Sequence, residues 1–152
     1  MYFPEGDCPF YRVTNFHNYS PNNVPRPGHS RGLMAETSFS GHKPETLDGL
    51  TQSTITGLVN TALLTPEEAE RAIASTWSFT AHYGYPVPSL GRDRALATLQ
   101  PWLEAHGIYS RGRFGGWRYE ASNMDHSVMQ GVEWAQRMVL NEAESTYKIP
   151  EL

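Results

Sequence analysis

A single cysteine in 152 residues, Cys8, excludes an internal disulfide framework, and no basic-then-apolar leader stands ahead of it. A reducing, cytoplasmic setting is therefore expected, with Cys8 itself an inert packing thiol rather than a nucleophile. Apolar runs stay short, far below the roughly 20 residues that a membrane-spanning helix needs. Positive charge is also scarce: 12 Lys and Arg against 16 Asp and Glu leave a net charge of −4, so a broad phosphate-binding surface is excluded and no nucleic-acid partner is expected. The histidines, at positions 17, 29, 42, 82, 106 and 126, show no H-x-H, H-E-x-x-H or Cys/His spacing. No metal site and no serine-hydrolase elbow are expected.

What remains is an ordinary folding sequence: 39% apolar residues and a mean hydropathy of −0.51. Its length suits one domain. Residues 10–19, rich in aromatic and β-branched side chains, predict a strand, the Pro/Asn/Ser/Gly stretch 20–32 a loop, and residues 33–40 a second strand, antiparallel to the first. Helical spacing covers 45–63, where Gly49, Gly57 and the threonines weaken it. Thr65, Pro66 and Glu68 form a capping-box start for a helix over 65–74. Residues 75–88 begin like a strand and end in a proline turn. A helix over 91–107 is kinked or restarted at Pro101 and ends at Gly107, and residues 108–112 predict a short strand. The clearest helix runs from about 125 to 143, with Val128, Val132, Ala135 and Val139 on one stripe, widened by Met129, Trp134 and Met138, and with Glu133 and Arg137 paired on the other side. The tail beyond Tyr147 is expected to be loose.

"RGRFGGWRYEASNMDHSVMQG", residues 111–131, is the candidate site. Gly112, Gly115 and Gly116 permit close backbone approach, and the unpaired amides at the start of the following helix suit an anion or carbonyl oxygen. Asp125 is the expected cap, leaving the amides of Met124 to Val128 directed forward. Arg111 and Arg113 would neutralise a phosphate, and Arg118 completes a local basic cluster suited to one anionic ligand. Asp125 and His126, adjacent on a helix start, make a poor catalytic dyad. The aromatic clusters around Phe10, Tyr11, Phe16 and Tyr19, and at Tyr83 and Tyr85, read as packing.

"FPEGDCPFYRVTNFHNYSPNNVP", "ITGLVNTALL" and "GYPVPSLGRDRALATLQPWLEAHGIYSRGRFGGWRYEASNMDHSVMQGVE" resemble the C-terminal part of the flavin amine-oxidase and protoporphyrinogen-oxidase-like proteins related to UDP-galactopyranose mutase. The resemblance covers nearly all of residues 2–140. It implies an α+β fold, a small mixed or antiparallel sheet with several helices, lying beside a Rossmann-type FAD domain. It further implies a single partial domain over 1–152, in which 1–90 are substrate-domain-like, 91–143 carry the flavin-edge turn and helix, and 144–152 form a loose tail. By the same resemblance Gly112, Arg113, Phe114 and Gly115 lie against the FAD pyrophosphate. Asn123, Met124, Asp125 and His126 offer their amides to the flavin pyrimidine edge and ribityl chain, where a reduced flavin carries negative charge. Arg92 and Asp93 fall on the substrate side without an assigned role, and no catalytic residue is assigned.

The family's N-terminal strand, G-x-G-x-x-G turn and helix have no counterpart in this sequence. A complete FAD site therefore requires the missing dinucleotide-binding part. Three readings remain open. The chain is the C-terminal portion of a flavin-dependent oxidoreductase, in a small-molecule biosynthetic pathway, completed by a partner chain or self-association; or a truncated, flavin-free descendant acting as an isomerase or cyclase; or a non-catalytic small-molecule binding module. The retained Gly-Arg-Phe-Gly and Met-Asp-His steps favour the first.

Overall fold

The computed structural model describes residues 1–120 and 123–148. They form an α+β structure with a two-stranded antiparallel sheet and five α-helices, and the chain divides into two compact units, Met1–Phe79 and Thr80–Leu152. The division falls after Phe79 rather than at residue 90, because Tyr83 and Tyr85 pack on rings of the second unit, Trp117 and Tyr119.

In the first unit, β1 (Arg12–Asn15) pairs with β2 (Leu33–Glu36), Val13 opposite Ala35. Met1 to Phe3 lie along the other edge of β1, through a bridge between Tyr2 and Arg12 and the bond from the Val13 amide to the Met1 carbonyl. The expected strand over 10–19 is cut short by a 3-10 turn at Phe16–Asn18. α1 (Leu50–Asn60) starts after Gly49, which holds φ 74°, a conformation that a side chain would strain. α2 (Pro66–Arg71) carries the predicted capping box in full, Thr65 accepting from the Glu68 amide and Glu68 from the Thr65 amide. The core of this unit is Phe10, Val13 and Leu58, ringed by Phe3, Cys8, Leu33, Ala35, Leu63 and Leu64.

Gly57, which weakens the helix in sequence terms, is there for packing. A Cβ at this position would lie 2.8 Å from the Cys8 Cβ and 3.0 Å from both the Phe10 ring and the Pro9 ring. Cys8 is itself part of this contact. Its Sγ–H points to the Phe10 carbonyl, and burial together with Asp7 pushes the thiol pKa up, which matches an unreactive packing thiol.

The second unit contains α3 (Arg92–Ala105), the one-turn α4 (Gly112–Gly115) and α5 (Met124–Leu140). α3 runs unbroken through Pro101 and stops at His106 and Gly107, the latter at φ 74°. Neither the strand expected over 108–112 nor the one expected from residue 75 forms. Residues 144–148 are not loose, since Glu144, Ser145, Thr146 and Tyr147 are all anchored on α5 or on Arg111; residues 149–152 lie outside the described ones.

α5 differs most from expectation. Met124, Val128, Val132, Ala135 and Val139 share one face, and all are exposed, Val139 at 80%. The opposite face, turned to the rest of the unit, carries His126, Gln130, Glu133, Trp134 and Arg137. The apolar stripe is real, but within this chain it covers nothing. Glu133 and Arg137 do not pair with each other either, because each is taken by the tail.

Replacing Gly57 by Ala is expected to destabilise the first unit by about 1–3 kcal/mol, the usual cost of overpacking a tight contact. Denaturant unfolding measures it. A stabilising effect, as helix propensity alone predicts, would contradict this packing role.

Candidate functional site

The two halves of the predicted site come together. α4 packs on the first turns of α5, and the Arg113 guanidinium donates to the Asn123 Oδ1 at 3.1 Å. Gly112, at φ 80°, lies against Ser127 and donates its amide to the Gln130 Oε1 at 2.8 Å. At the other end of the same turn, the Gln100 Nε2 donates to the Gly115 carbonyl at 2.8 Å. Gln100 and Gln130 are 2% and 3% exposed. Two buried glutamines thus hold the two ends of a four-residue turn, a bond type that is costly to lose in a buried setting.

The glycines have a different role from the one expected. A Cβ on Gly115 would meet the Ser110 hydroxyl at 2.9 Å, and one on Gly116 the Gly112 carbonyl at 3.1 Å with the Tyr147 ring just beyond. Their close approach is to the chain itself, so the turn is compact rather than an open cradle.

The cap is also reassigned. Asn123 is the N-cap of α5, with extended backbone, and Asp125 sits inside the first turn. Because the Asn123 side chain is occupied by Arg113, it makes no cap bond, and the first-turn amides of Met124, Asp125 and His126 have no side-chain cap. Asn123, Met124 and Asp125 are exposed, Met124 at 85%. The His126 Nδ1 is buried and has no hydrogen-bond partner among the described residues.

The basic cluster does not act as one. Arg111 is drawn inward: it bonds Glu144 at 2.5 and 2.7 Å and Glu104 at 2.8 Å, and its guanidinium lies 3.9 Å from the Tyr147 ring centre. Arg137 closes the network on the same two carboxylates. Burial is the largest influence on Glu144 and opposes its ionisation, yet the bonds from Arg111 and Arg137 outweigh it and hold the carboxyl below its ordinary pKa. Arg118 bonds the Lys148 carbonyl and lies near Glu120. Only Arg113 of the three stands at the start of α5.

Arg113 stacks over Tyr85 at 4.5 Å. Tyr85 neighbours Tyr119, while Tyr83 and Phe114 both meet Trp117 edge-on. The tyrosines read as packing thus form, with residues 114–119, an aromatic collar beside the turn. The sequence signal for it was the pair Tyr83 and Tyr85, but only the tertiary structure joins them to Trp117 and Tyr119. Arg92 donates one hydrogen bond to Asp93 and two to the Glu120 carboxylate, so both have structural partners.

Residues 28–32 spell G-x-S-x-G, the letters of a hydrolase elbow. The segment is a loop leading into β2, not a strand-to-helix turn, and its Arg31 pairs with Glu68, so the letters carry no nucleophile elbow. Among the described residues no three His, Cys, Asp or Glu side chains converge as a metal site, and no helix is long and apolar enough to cross a membrane.

Two outcomes follow from these charges. Arg111→Ala is expected to destabilise the second unit by about 3–5 kcal/mol, because it takes the more buried of two guanidiniums from Glu104 and Glu144 and leaves only Arg137 to compensate both, whereas Arg118→Ala should cost less than about 1 kcal/mol; paired unfolding curves compare them. Glu133 accepts from the Ser145 hydroxyl, both tail amides and the Thr146 hydroxyl, and these bonds lower its pKa to about 2. Its contribution is present above the ordinary value of 4.5 and lost as pH falls through about 2. Tail amide exchange at Ser145 and Thr146 should accelerate across that window in wild type, and be fast and pH-insensitive there, beyond intrinsic chemistry, in Glu133→Gln.

No family model matches the chain. A solved structure, the crystal structure of reduced UDP-galactopyranose mutase, is similar to it with 44% sequence identity and a TM-score of 0.83 over 95% of this chain. The chain spans 30% of the length of that protein, the enzyme to which the sequence resemblance related it.

Proposed function

We propose that the chain is the C-terminal, FAD- and substrate-contacting portion of a flavin-dependent oxidoreductase of the amine-oxidase and UDP-galactopyranose mutase type, in small-molecule biosynthesis. Further polypeptide completes it by supplying the dinucleotide-binding fold. The carrying observation is α5: its start presents uncapped amides and its apolar face lies bare, in a chain 44% identical to part of a much longer mutase.

The accessible surface supports the same reading. It is 11218 Å², against about 9,300 Å² expected from size scaling for two separate domains of half this mass each. A flavin-free remnant working alone would have to keep that apolar surface in water.

The residues present fit the cofactor in part. The amides of Met124, Asp125 and His126, at the positive end of a 17-residue helix, suit a carbonyl or anionic oxygen edge. Arg113, fixed by Asn123 and Tyr85, supplies positive charge beside them. Arg111 does not contribute, because its charge is spent on Glu104 and Glu144. Bound FAD supplies two-electron redox chemistry at a C–H beside nitrogen or oxygen. The chain's own work is to orient and to stabilise charge: Gln100 and Gln130 fix the turn, and Asn123 aims Arg113.

The visible absorbance spectrum tests this directly. The chain alone with FAD should remain colourless after desalting, while the chain co-expressed with a mutase trimmed of its matching segment should retain flavin bands. In that complex Arg113→Ala is expected to weaken FAD retention about tenfold, the order of one charge-assisted bond, and Arg118→Ala to leave it unchanged. No flavin in the complex, or equal retention in both variants, would contradict the assignment.

A further inference from the structure

Residues 73–79, which link α2 to the end of the first unit, belong to no helix or strand and are exposed throughout. Among the described residues, none of their backbone groups bonds another backbone group. From Ile73 to His82 there is no formal charge, no proline and no glycine. Trp77 and Phe79 are 85% and 74% exposed and stack on each other with parallel rings 6.0 Å apart.

The pattern is that of a strand. Ile73, Trp77 and Phe79 are odd-numbered positions on one face, and Ala74, Thr76 and Ser78 occupy the other. Exposed strand edges are normally guarded by lysine, proline or a bulge, and this segment has none of these guards. A neutral, aromatic, β-prone stretch with none of its backbone donors bonded to other described backbone is built to be covered.

We propose that residues 73–79 dock as an added edge strand on an open sheet edge of the polypeptide equivalent to the part of the mutase chain outside the 30% spanned here. The occupant follows from length: the similar chain carries more than twice as much polypeptide beyond the matched part as within it. The large face, with Trp77 and Phe79, lies against that partner's apolar layer, while the small face, with Thr76 and Ser78, stays open to solvent. The proposal rests on the reading that further polypeptide completes this chain, and adds to it the segment and the mode of attachment.

Amide hydrogen exchange of the chain, alone and co-expressed with the trimmed mutase, tests it. Alone, residues 73–79 should exchange at nearly unprotected rates at every concentration. In the complex, alternate amides should slow by a hundredfold or more, since an edge strand bonds on one side only. Thr76→Pro and Trp77→Pro then probe the two parities, and one of them should weaken co-purification at least tenfold while the other is tolerated. A flavin-containing complex in which residues 73–79 exchange as fast as in the free chain would overturn the strand and leave the functional reading standing. Protection that grows with the concentration of the chain alone would assign the surface to a second copy and overturn it too. Failure to form any complex would overturn both.

Discussion

The ion-pair network of Arg111, Glu104, Glu144 and Arg137 sets the geometry of the second unit. Its four side chains come from the end of α3, the entry to α4, the end of α5 and the tail, and Arg111 and Glu144 are only 8% and 5% exposed. Buried charges of this kind tolerate little movement, because each carboxylate left without its guanidinium would bear the full cost of desolvation. Arg137 and, one turn earlier, Glu133 must therefore face inward. Once they do, the helix period leaves Val128, Val132, Ala135 and Val139 no choice but to face outward. The bare apolar face of α5 is thus a consequence of how its polar face is held, and frayed packing does not explain it.

The same orientation sets up the candidate site. With Gln130 turned inward it meets the Gly112 amide, and the turn it holds brings Arg113 to Asn123. The side chain that would ordinarily cap α5 is then engaged by an arginine. Helix start, cation and turn become one assembly through three hydrogen bonds, two of them made by buried glutamines.

Local signals were legible in the sequence, and their tertiary meaning was less so. The capping box at Thr65, the stop at Gly107, the antiparallel strand pair and the helix after residue 123 all rest on contacts within a few residues, which composition and spacing encode. The stripe on α5 was equally legible as a stripe. Its direction was not, because periodicity shows that a face is apolar and not what lies against it. Arg111 and Arg113 are two positions apart and identical in type, yet one pairs with acids 7 and 33 residues away and the other stands at the helix start. The glycines at 115 and 116 had the same ambiguity, resolved by Ser110 and Tyr147. The strand expected from residue 75 has the sequence of a strand but no neighbour within the chain to make it one.

On the proposed reading, further polypeptide lies over the outer face of α5. The direct measurement is the thiol-labelling rate of Val132→Cys, in a Cys8→Ser background, for the chain alone and for the chain assembled with the trimmed mutase. Labelling should be rapid in the chain alone and at least tenfold slower in the assembly. Equal rates in an assembly shown to have formed would contradict it.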